Sequence, residues 1–364
     1  MTDPNEIPGA GGVPHDAIDG PDPEPTTARA AARGVAYHEL VWRQFWRYRL
    51  NRVSLWTIAC VVALAISADF IASDKPLVAY FEGRLYVLPN LVNPQALRIY
   101  DNDLLVKTMR EGDWAVLPVV PYGYNSHDLD HVLSGPTAQH WLGTDQGGRD
   151  VLARIIHGAR VSLAVGVMSV IVLVLVGVAF GTLAAYYGGL LDIVLMRLLE
   201  VVHSVPTLLL LVAMLAVLAP QGWGAVFAMM IVIGLIRWTD VARLVRGEIL
   251  RVKTLDYVQA SRAQGASDSR IILWHILPNA ISPVLVSATF AMASAILLES
   301  ALSFLGFGIP DDMASWGGLL NGARGNTDAW WLAVFPGFAI FLTVTVYNVA
   351  GEGLRDAIDP RLKT

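Results

Sequence analysis

A short run of histidines and aspartates is the clearest candidate for chemistry in this sequence. His127, Asp128, Asp130 and His131 offer nitrogen and oxygen ligands of the kind that bind transition metals. The same run follows the turn-forming residues 122–126 and precedes a Gly-Pro pair, which is typical of a solvated loop. We interpret it as a loop without a metal. No nucleophile–base pair is convincingly spaced, so we predict no catalytic residue.

The sequence also lacks a loop that binds nucleotide phosphates. No G-x-x-x-x-G-K-[ST] pattern is present, so we expect that this chain does not hydrolyse ATP. Its one cysteine, Cys60, lies in an apolar run, which excludes an intrachain disulfide and a cysteine-based metal cluster. We therefore predict a chain that is not an enzyme and binds no cofactor or metal.

Polar residues within long apolar segments form a second group of candidates, because charges there are costly and are often functional. Arg237 and Asp240 are three residues apart on one face of a predicted helix and can pair. The pair is either an ion pair at the cytosolic rim of the membrane or part of an inner gate. Ser287 and Ser294 lie in a later segment rich in small and hydroxyl residues, which favours close helix packing or a pore wall.

The composition places these candidates in a membrane protein. The hydrophobic fraction is 54%, charged residues make up only 16%, and the mean hydropathy is +0.50. Soluble domains have about 25% charged residues. The formal net charge of -5 and the absence of a basic run give no support for nucleic-acid binding.

The fold class that follows is all-α, a polytopic membrane protein with six transmembrane helices. A membrane-crossing helix needs about 20 mostly apolar residues, and residues 53–72 are the first such segment. The other five lie in a core at 158–352, where residues 220–224 divide one apolar run into two spans. We predict a disordered cytosolic tail at 1–35 and an interfacial amphipathic helix at 36–52.

The distribution of basic residues predicts the orientation, because Lys and Arg are enriched near the cytosolic ends of spans. Basic residues precede the first span, lie between the fourth and fifth, and follow the sixth in a cytosolic tail at 353–364. Both termini are therefore predicted to be cytosolic. Residues 73–157 then form a long extracytoplasmic segment between helices 1 and 2, with a hairpin over 78–81 and 84–87.

The most organised polar segment is the cytosolic loop 254–278, between spans four and five. We predict a helix over 255–264, with Gly265 as its positive-φ stop and Ser267 as the N-cap of a second helix. Pro278 lacks an N–H, so span five can begin there. The second helix is predicted to expose an apolar surface, which consists of Ile271, Ile272, Trp274 and Ile276.

Small side chains in this loop would let another protein approach closely. Ala260, Ser261 and Ala263 are followed by Gly265 and, further on, by Leu277-Pro278. This pattern resembles the signature cytoplasmic loop of ABC importer permeases, which reads Glu-Ala-Ala, three residues, Gly, and later Leu-Pro. The leading Glu of the family is Gln259 here, so the carboxylate for an ion pair with an ATPase is missing.

The resemblance implies that this coupling loop sits in a groove of a cytosolic ATPase and transmits nucleotide-driven closure to the spans. The residues assigned to that contact are Tyr257, Gln259, Ala260, Ser261, Ala263, Gly265, Ala266, Leu277 and Pro278.

Further motifs narrow the resemblance. Residues 140–145 (His-Trp-Leu-Gly-Thr-Asp), 148–154 (Gly-Arg-Asp-Val-Leu-Ala-Arg) and 299–308 (Glu-Ser-Ala-Leu-Ser-Phe-Leu-Gly-Phe-Gly) resemble the C-type subunits of dipeptide and oligopeptide permeases. The long outer segment, which begins near 73–77, resembles the Yej-type permeases tied to oligopeptide and microcin C uptake.

This resemblance implies a subunit of the cell inner membrane that passes di- or oligopeptides, or microcin-like peptides, to the cytosol. Its implied partners are a homologous B-type permease, one or two ABC ATPase subunits that use ATP and magnesium, and an extracytoplasmic solute-binding protein. Glu299, at the outer end of span five, would either bind a peptide ammonium at the outer mouth or hydrogen-bond to the following loop.

Two alternatives stay open at this stage. Nickel-chelate permeases of the same family share the same core. A secondary transporter acting alone would need inverted repeats and broken helices. We see no convincing internal repeat, although Pro206 could kink span three.

Overall fold

The computed structural model describes residues 37–219 and 221–358 and is mainly helical. The predicted tail at 1–35, the turn residue Pro220 and the last residues of the predicted C-terminal tail, 359–364, lie outside the described residues.

The chain folds into helices joined by short loops, with one small sheet in the outer segment. The helices are α1 Tyr37–Arg47, α2 Arg49–Ile66, α3 Ala68–Ile71, α4 Pro89–Val92, α5 Asn102–Thr108, α6 Val151–Tyr187, α7 Gly189–Ser204, α8 Thr207–Leu218, α9 Trp223–Val252, α10 Asp256–Ala263, α11 Asp268–Arg270, α12 Leu277–Phe304, α13 Trp316–Ala323 and α14 Trp331–Ile358. A π-helix joins α11 to α12 over Ile271–Ile276. Single 3-10 turns lie at Gln95–Leu97 and Leu129–His131.

Five helical stretches in the described part of the chain are long and apolar enough to cross a membrane: α2, α6, α9, the continuous stretch Asp268–Phe304, and α14. Helices α7 and α8 make a sixth span if they are counted together, and they are bent by 89° at the break between them. The break contains Pro206, whose missing N–H cannot continue the helical ladder of α7. The predicted third span is therefore a broken helix, bent at the proline that the sequence suggested as a kink.

The residues that lead into α12 differ from the prediction. Pro278 lies in the first turn of α12, as expected. No break separates the second loop helix from the span, however, because α11, the π-helix and α12 form one stretch of 37 residues, Asp268–Phe304. A π-helix bonds each N–H to the carbonyl five residues earlier, and this wider turn accommodates a proline that would disrupt an α-helical ladder.

Helices α6 and α9 pack against each other at very short range. A Cβ at Gly181 would lie 2.5 Å from the carbonyl oxygen of Ala242, and one at Gly177 would lie 2.7 Å from the Cβ of Val241. On α9, Gly234 makes a similar close approach, because a Cβ there would lie 2.6 Å from the Cβ of Val172 on α6. Small residues allow backbones to approach in this way, which is how helices associate where lipid provides no hydrophobic drive.

The outer segment is a small folded unit that packs against α6. Strand β1, Val78–Phe81, pairs antiparallel with β2, Arg84–Val87, as predicted, through a turn with positive φ at Glu82 and Gly83. A third strand, β3 Trp114–Val116, pairs with the other edge of β1 and was not predicted. The buried ammonium of Lys75 donates hydrogen bonds to the carbonyls of Leu97, Arg98 and Tyr100.

The α6–α9 contact predicts unequal effects of two glycine substitutions. Gly181→Ala places a methyl group against backbone, so we expect a lower midpoint of thermal unfolding, since overpacking costs about 1–3 kcal/mol. Gly247→Ala is the matched control on α9, because nothing lies within 4 Å of that position. The control should be neutral or slightly stabilising, because Ala favours a helix over Gly by about 0.5–1 kcal/mol. Equal unfolding midpoints for the two detergent-purified variants would contradict this packing.

Candidate functional site

Helix α10 presents four of the nine predicted contact residues to solvent. Val258 is only 1% exposed and anchors the helix in the core beneath α6 and α9. Tyr257, Gln259 and Ala260 are exposed, and so is Ala263 in the last turn. We call the exposed side of α10, together with residues 265–266 and 273–274, the docking surface.

Gly265 ends α10 in the way that its sequence position predicts. Its φ is +79°, a conformation that side chains with a Cβ rarely adopt. The N–H of Ala266 donates to the carbonyl of Ser261 at 3.2 Å, and the N–H of Gly265 donates to that of Arg262 at 3.0 Å. These two bonds are the Schellman motif, which satisfies carbonyls at a helix C-terminus.

Two hydrogen bonds connect α10 to the elements on either side of it. The hydroxyl of Tyr257 donates to the carbonyl of His275 at 3.2 Å and so ties α10 to the π-helix. The amide of Gln259 donates to the carbonyl of Lys253 at 2.7 Å, at the end of α9. Gln259 therefore has a local structural partner at the position where the family has its Glu.

Tyr186, in the last turn of α6, connects the loop 254–278 to the membrane helices. Its hydroxyl donates to the carboxylate of Asp268 at 2.5 Å. The guanidinium of Arg262 lies over its ring, 5.6 Å from the centroid. One side chain of α6 thus contacts both helices of the loop.

The predicted exposed apolar surface of the second loop helix (Ile271, Ile272, Trp274 and Ile276) is partly wrong. Ile271 and Ile276 are both 0% exposed and pack into the core, whereas Trp274 is 75% exposed and Leu273 is 59% exposed. The two isoleucines are five residues apart, which is the hydrogen-bond interval of a π-helix, so both face inward. Ser267 occupies the N-cap position as predicted, but its hydroxyl does not cap α11.

A cavity of about 100 Å³ lies between α6, α9 and α12. Its lining includes four residues that the sequence suggested for a gate or pore wall: Arg237, Asp240, Ser287 and Ser294. The guanidinium of Arg237 pairs with the carboxylate of Asp240 at 3.1 Å, as their spacing predicted. Both side chains are partly exposed, so the pair faces the cavity and is not sealed in the core.

Glu299 lies apart from this cavity and is 0% exposed. Its carboxylate accepts hydrogen bonds from the hydroxyls of Ser162 at 3.0 Å and Ser303 at 2.9 Å. Ser303 also accepts a bond from the N–H of Ile309, in the outer loop. This geometry fits the structural alternative for Glu299 and leaves no carboxylate surface for a peptide ammonium.

Comparisons with known proteins agree with these features. A family model described as "Binding-protein-dependent transport system inner membrane component" matches residues 177–364. The inner membrane ABC transporter permease protein YejE of Escherichia coli K12 is 35% identical over 331 residues, covering 88% of this chain and 96% of its own length. The chain belongs to this family. It is a permease subunit of an ABC importer.

Other relatives resemble a smaller part of the permease. The dipeptide transport system permease protein DppC of Bacillus subtilis 168 is 43% identical over 230 residues, covering 63% of this chain and 71% of its own length. The more extensive match to YejE agrees with the resemblance of the outer segment to Yej-type permeases. A solved structure of the MetNI methionine ABC transporter has a TM-score of 0.48 at 18% identity, over 57% of this chain and 97% of its own, and is too distant to add to the assignment.

An arginine network at the N-terminal end of α6 was not foreseen. Arg149 donates to Asp145 at 2.8 Å and to Asp311 at 2.7 Å, joining the residues before α6 to the loop before α13. Arg154, only 1% exposed, donates to the carbonyls of Asp311 and Met313. Burial lowers the pKa of Arg149, but the two carboxylates outweigh it and hold that pKa above its ordinary value. The motif at 148–154 was visible in the sequence, but its partner 162 positions away was not.

A second ion pair joins the C-terminal half of α9 to α7. Arg246 on α9 binds Asp192 on α7 through two parallel hydrogen bonds, both 2.6 Å long. Bidentate pairs of this kind fix geometry as well as charge. In the sequence, Arg246 counted only as one of the basic residues that indicate a cytosolic loop.

The contact of Tyr186 with Asp268 yields a prediction about the loop. Tyr186→Phe removes one hydroxyl and keeps the ring under Arg262, so the loop should open more often. We expect faster amide hydrogen exchange in 256–268, with α6 and α9 unchanged. Tyr187→Phe is the matched control, because the neighbouring Tyr187 is 56% exposed. Identical exchange in the two variants would show that this hydroxyl does not hold the loop.

Proposed function

We propose that the permease forms one half of a heterodimeric pore with a homologous B-type permease and imports peptides. Two ABC ATPase sites, in one or two kinds of subunit, hydrolyse ATP with magnesium, and the docking surface is where an ATPase binds. The observation that carries this proposal is the exposed, small-residue side of α10, held in place by the buried Val258 and by Tyr186. Small residues allow a partner to approach this surface closely.

The same connections suggest how ATPase movement reaches the pore. Helix α10 follows the end of α9 after only three residues, 253–255, and α9 carries both Arg237 and Asp240. Packed helices shift as units rather than deforming continuously. In this proposal, displacement of the docking surface therefore moves α9 relative to α12 and changes the cavity between them.

The cavity favours a peptide as the substrate. A peptide backbone offers many hydrogen-bonding groups without one fixed charge, and the cavity combines two serine hydroxyls with an ion pair whose charges balance. Relatives named as dipeptide and oligopeptide transport permeases support this choice. Nickel-chelate import by the same core is the second candidate, and a transporter acting alone is the third.

The proposal also includes a solute-binding protein and a fixed orientation of the chain in the membrane. An extracytoplasmic solute-binding protein delivers the substrate to the outer face, where the segment 73–157 lies. Both termini are cytosolic, which places α10 on the ATPase side. This chain contributes no nucleotide-binding residues, so its role is to form the path and to receive the ATPase.

Ala260→Arg tests the docking role. A long cationic side chain on the docking surface should prevent close approach of the ATPase, while membrane insertion is unaffected. We expect ATP-dependent peptide uptake by the reconstituted importer to fall at least about tenfold, which would follow from an about tenfold weaker contact with the ATPase. Ala260→Ser is the matched control, since it keeps a small side chain at the same position.

Three results would bear on different parts of the proposal. Full uptake by Ala260→Arg would remove the docking role of α10. Peptide uptake without ATPase subunits would favour a transporter acting alone. Saturable uptake of a nickel chelate, with no competition by peptides, would replace the substrate and leave the docking role intact.

A further inference from the structure

The outer segment brings three potential metal ligands together from separate parts of the sequence. Asp128, His131 and His140 each offer one ligand atom, and these atoms all lie within 4.8 Å of one another. The sequence had grouped Asp128 and His131 with His127 and Asp130. In the structure His127 instead contacts the carbonyl of Gly147, 2.8 Å away.

Both ring nitrogens of His140 face carboxylate oxygens. Its Nδ1 lies 2.8 Å from Oδ2 of Asp150, and its Nε2 lies 3.3 Å from Oδ2 of Asp128. The ring and Asp150 are each about 1% exposed, so water does not separate them. When Asp150 accepts the Nδ1 proton, Nε2 carries a lone pair directed at an anionic oxygen. A cation between Nε2 and Asp128 would remove the repulsion between this lone pair and the carboxylate.

The distances around Asp128 suit a metal ion. Its Oδ2 lies 3.0 Å from Nδ1 of His131 and 3.3 Å from Nε2 of His140. Ligands bonded to zinc at about 2.0–2.2 Å in a tetrahedron lie about 3.4 Å from each other. These two spacings are therefore close to the edges of such a tetrahedron, and the two histidine nitrogens lie within 4.8 Å of each other.

The surroundings of His140 match those of metal-bound histidines. A ligating histidine commonly donates its other N–H to a carboxylate, which fixes the tautomer and the ring orientation. Asp150 has that position, and it is itself held because its other oxygen accepts the N–H of Ala153 at the start of α6. The ring of Tyr122 packs on His140, with centroids 4.4 Å apart.

We propose that Asp128, His131 and His140 bind one divalent transition-metal ion of the zinc class, with Asp150 as the supporting carboxylate. The side chains of Asp128 and His131 are 29% and 38% exposed, which gives the ion a path from solvent and leaves a position for water. The ion would fasten the 3-10 turn Leu129–His131 to the residues that lead into α6. It would thereby fix the outer segment on the helix that lines the cavity.

The test is metal binding by the full-length permease, purified through a tag without histidine and stripped with a chelator. We expect about one equivalent of Zn²⁺ to bind, and Co²⁺ to give the visible absorption of a tetrahedral site. His131→Ala should abolish both signals, since it removes a partly exposed ligand without touching the core. His127→Ala is the matched control and should keep both.

A second variant separates the metal from a simple polar contact. Asp150→Asn retains an oxygen to cap α6 but removes the charge behind His140, so Zn²⁺ affinity should fall by about 10–100-fold, as for other supporting carboxylates. The proposal is overturned if wild-type protein binds Zn²⁺ no better than His131→Ala. None of these outcomes depends on peptide transport, so they do not bear on the proposed function.

Discussion

The contact between α6 and α9 depends on three glycines, where any Cβ would meet neighbouring atoms at 2.5 to 2.7 Å. In the proposed mechanism this contact matters because the ion pair and the loop are each attached to one of the two helices. Helix α9 carries the Arg237–Asp240 pair and leads into α10, and α6 ends at Tyr186, which binds the coupling loop. A shift of the docking surface therefore acts on a pair of helices that cannot slide apart without losing their closest backbone contact.

Ion pairs near both ends of this helical pair tie it to neighbouring elements. At the N-terminal end of α6, Arg149 joins the residues before that helix to Asp311, in the loop that follows α12. Toward the C-terminal end of α9, Arg246 joins that helix to α7. Between these two restraints lies the cavity, whose third wall is α12. The wall and the docking surface are continuous through the π-helix, so in the proposed mechanism this stretch is a second connection between the docking surface and the cavity.

Features that depend on neighbours in the sequence could be predicted. The hairpin turn at residues 82–83, the Gly265 helix stop and the Arg237–Asp240 pair follow from local spacing and were found as expected. Features that depend on distant partners could not. The ligand cluster around His140 joins residues from two separated runs, and the inward packing of Ile271 and Ile276 depends on a π-helix that has no sequence signature. The burial of Glu299 likewise follows from Ser162, on a different helix.

We propose that the docking surface touches an ATPase, and proximity labelling tests this contact most directly. Cys60 is exposed, so it is first replaced by serine. A benzophenone is then attached to a single cysteine at Ala263→Cys, or, as a control, at Val92→Cys on the outer segment. We predict light-induced adducts with the ATPase from position 263 only. An assembled, ATP-hydrolysing importer that gave no ATPase adduct from position 263 would contradict this account of how the permease is driven.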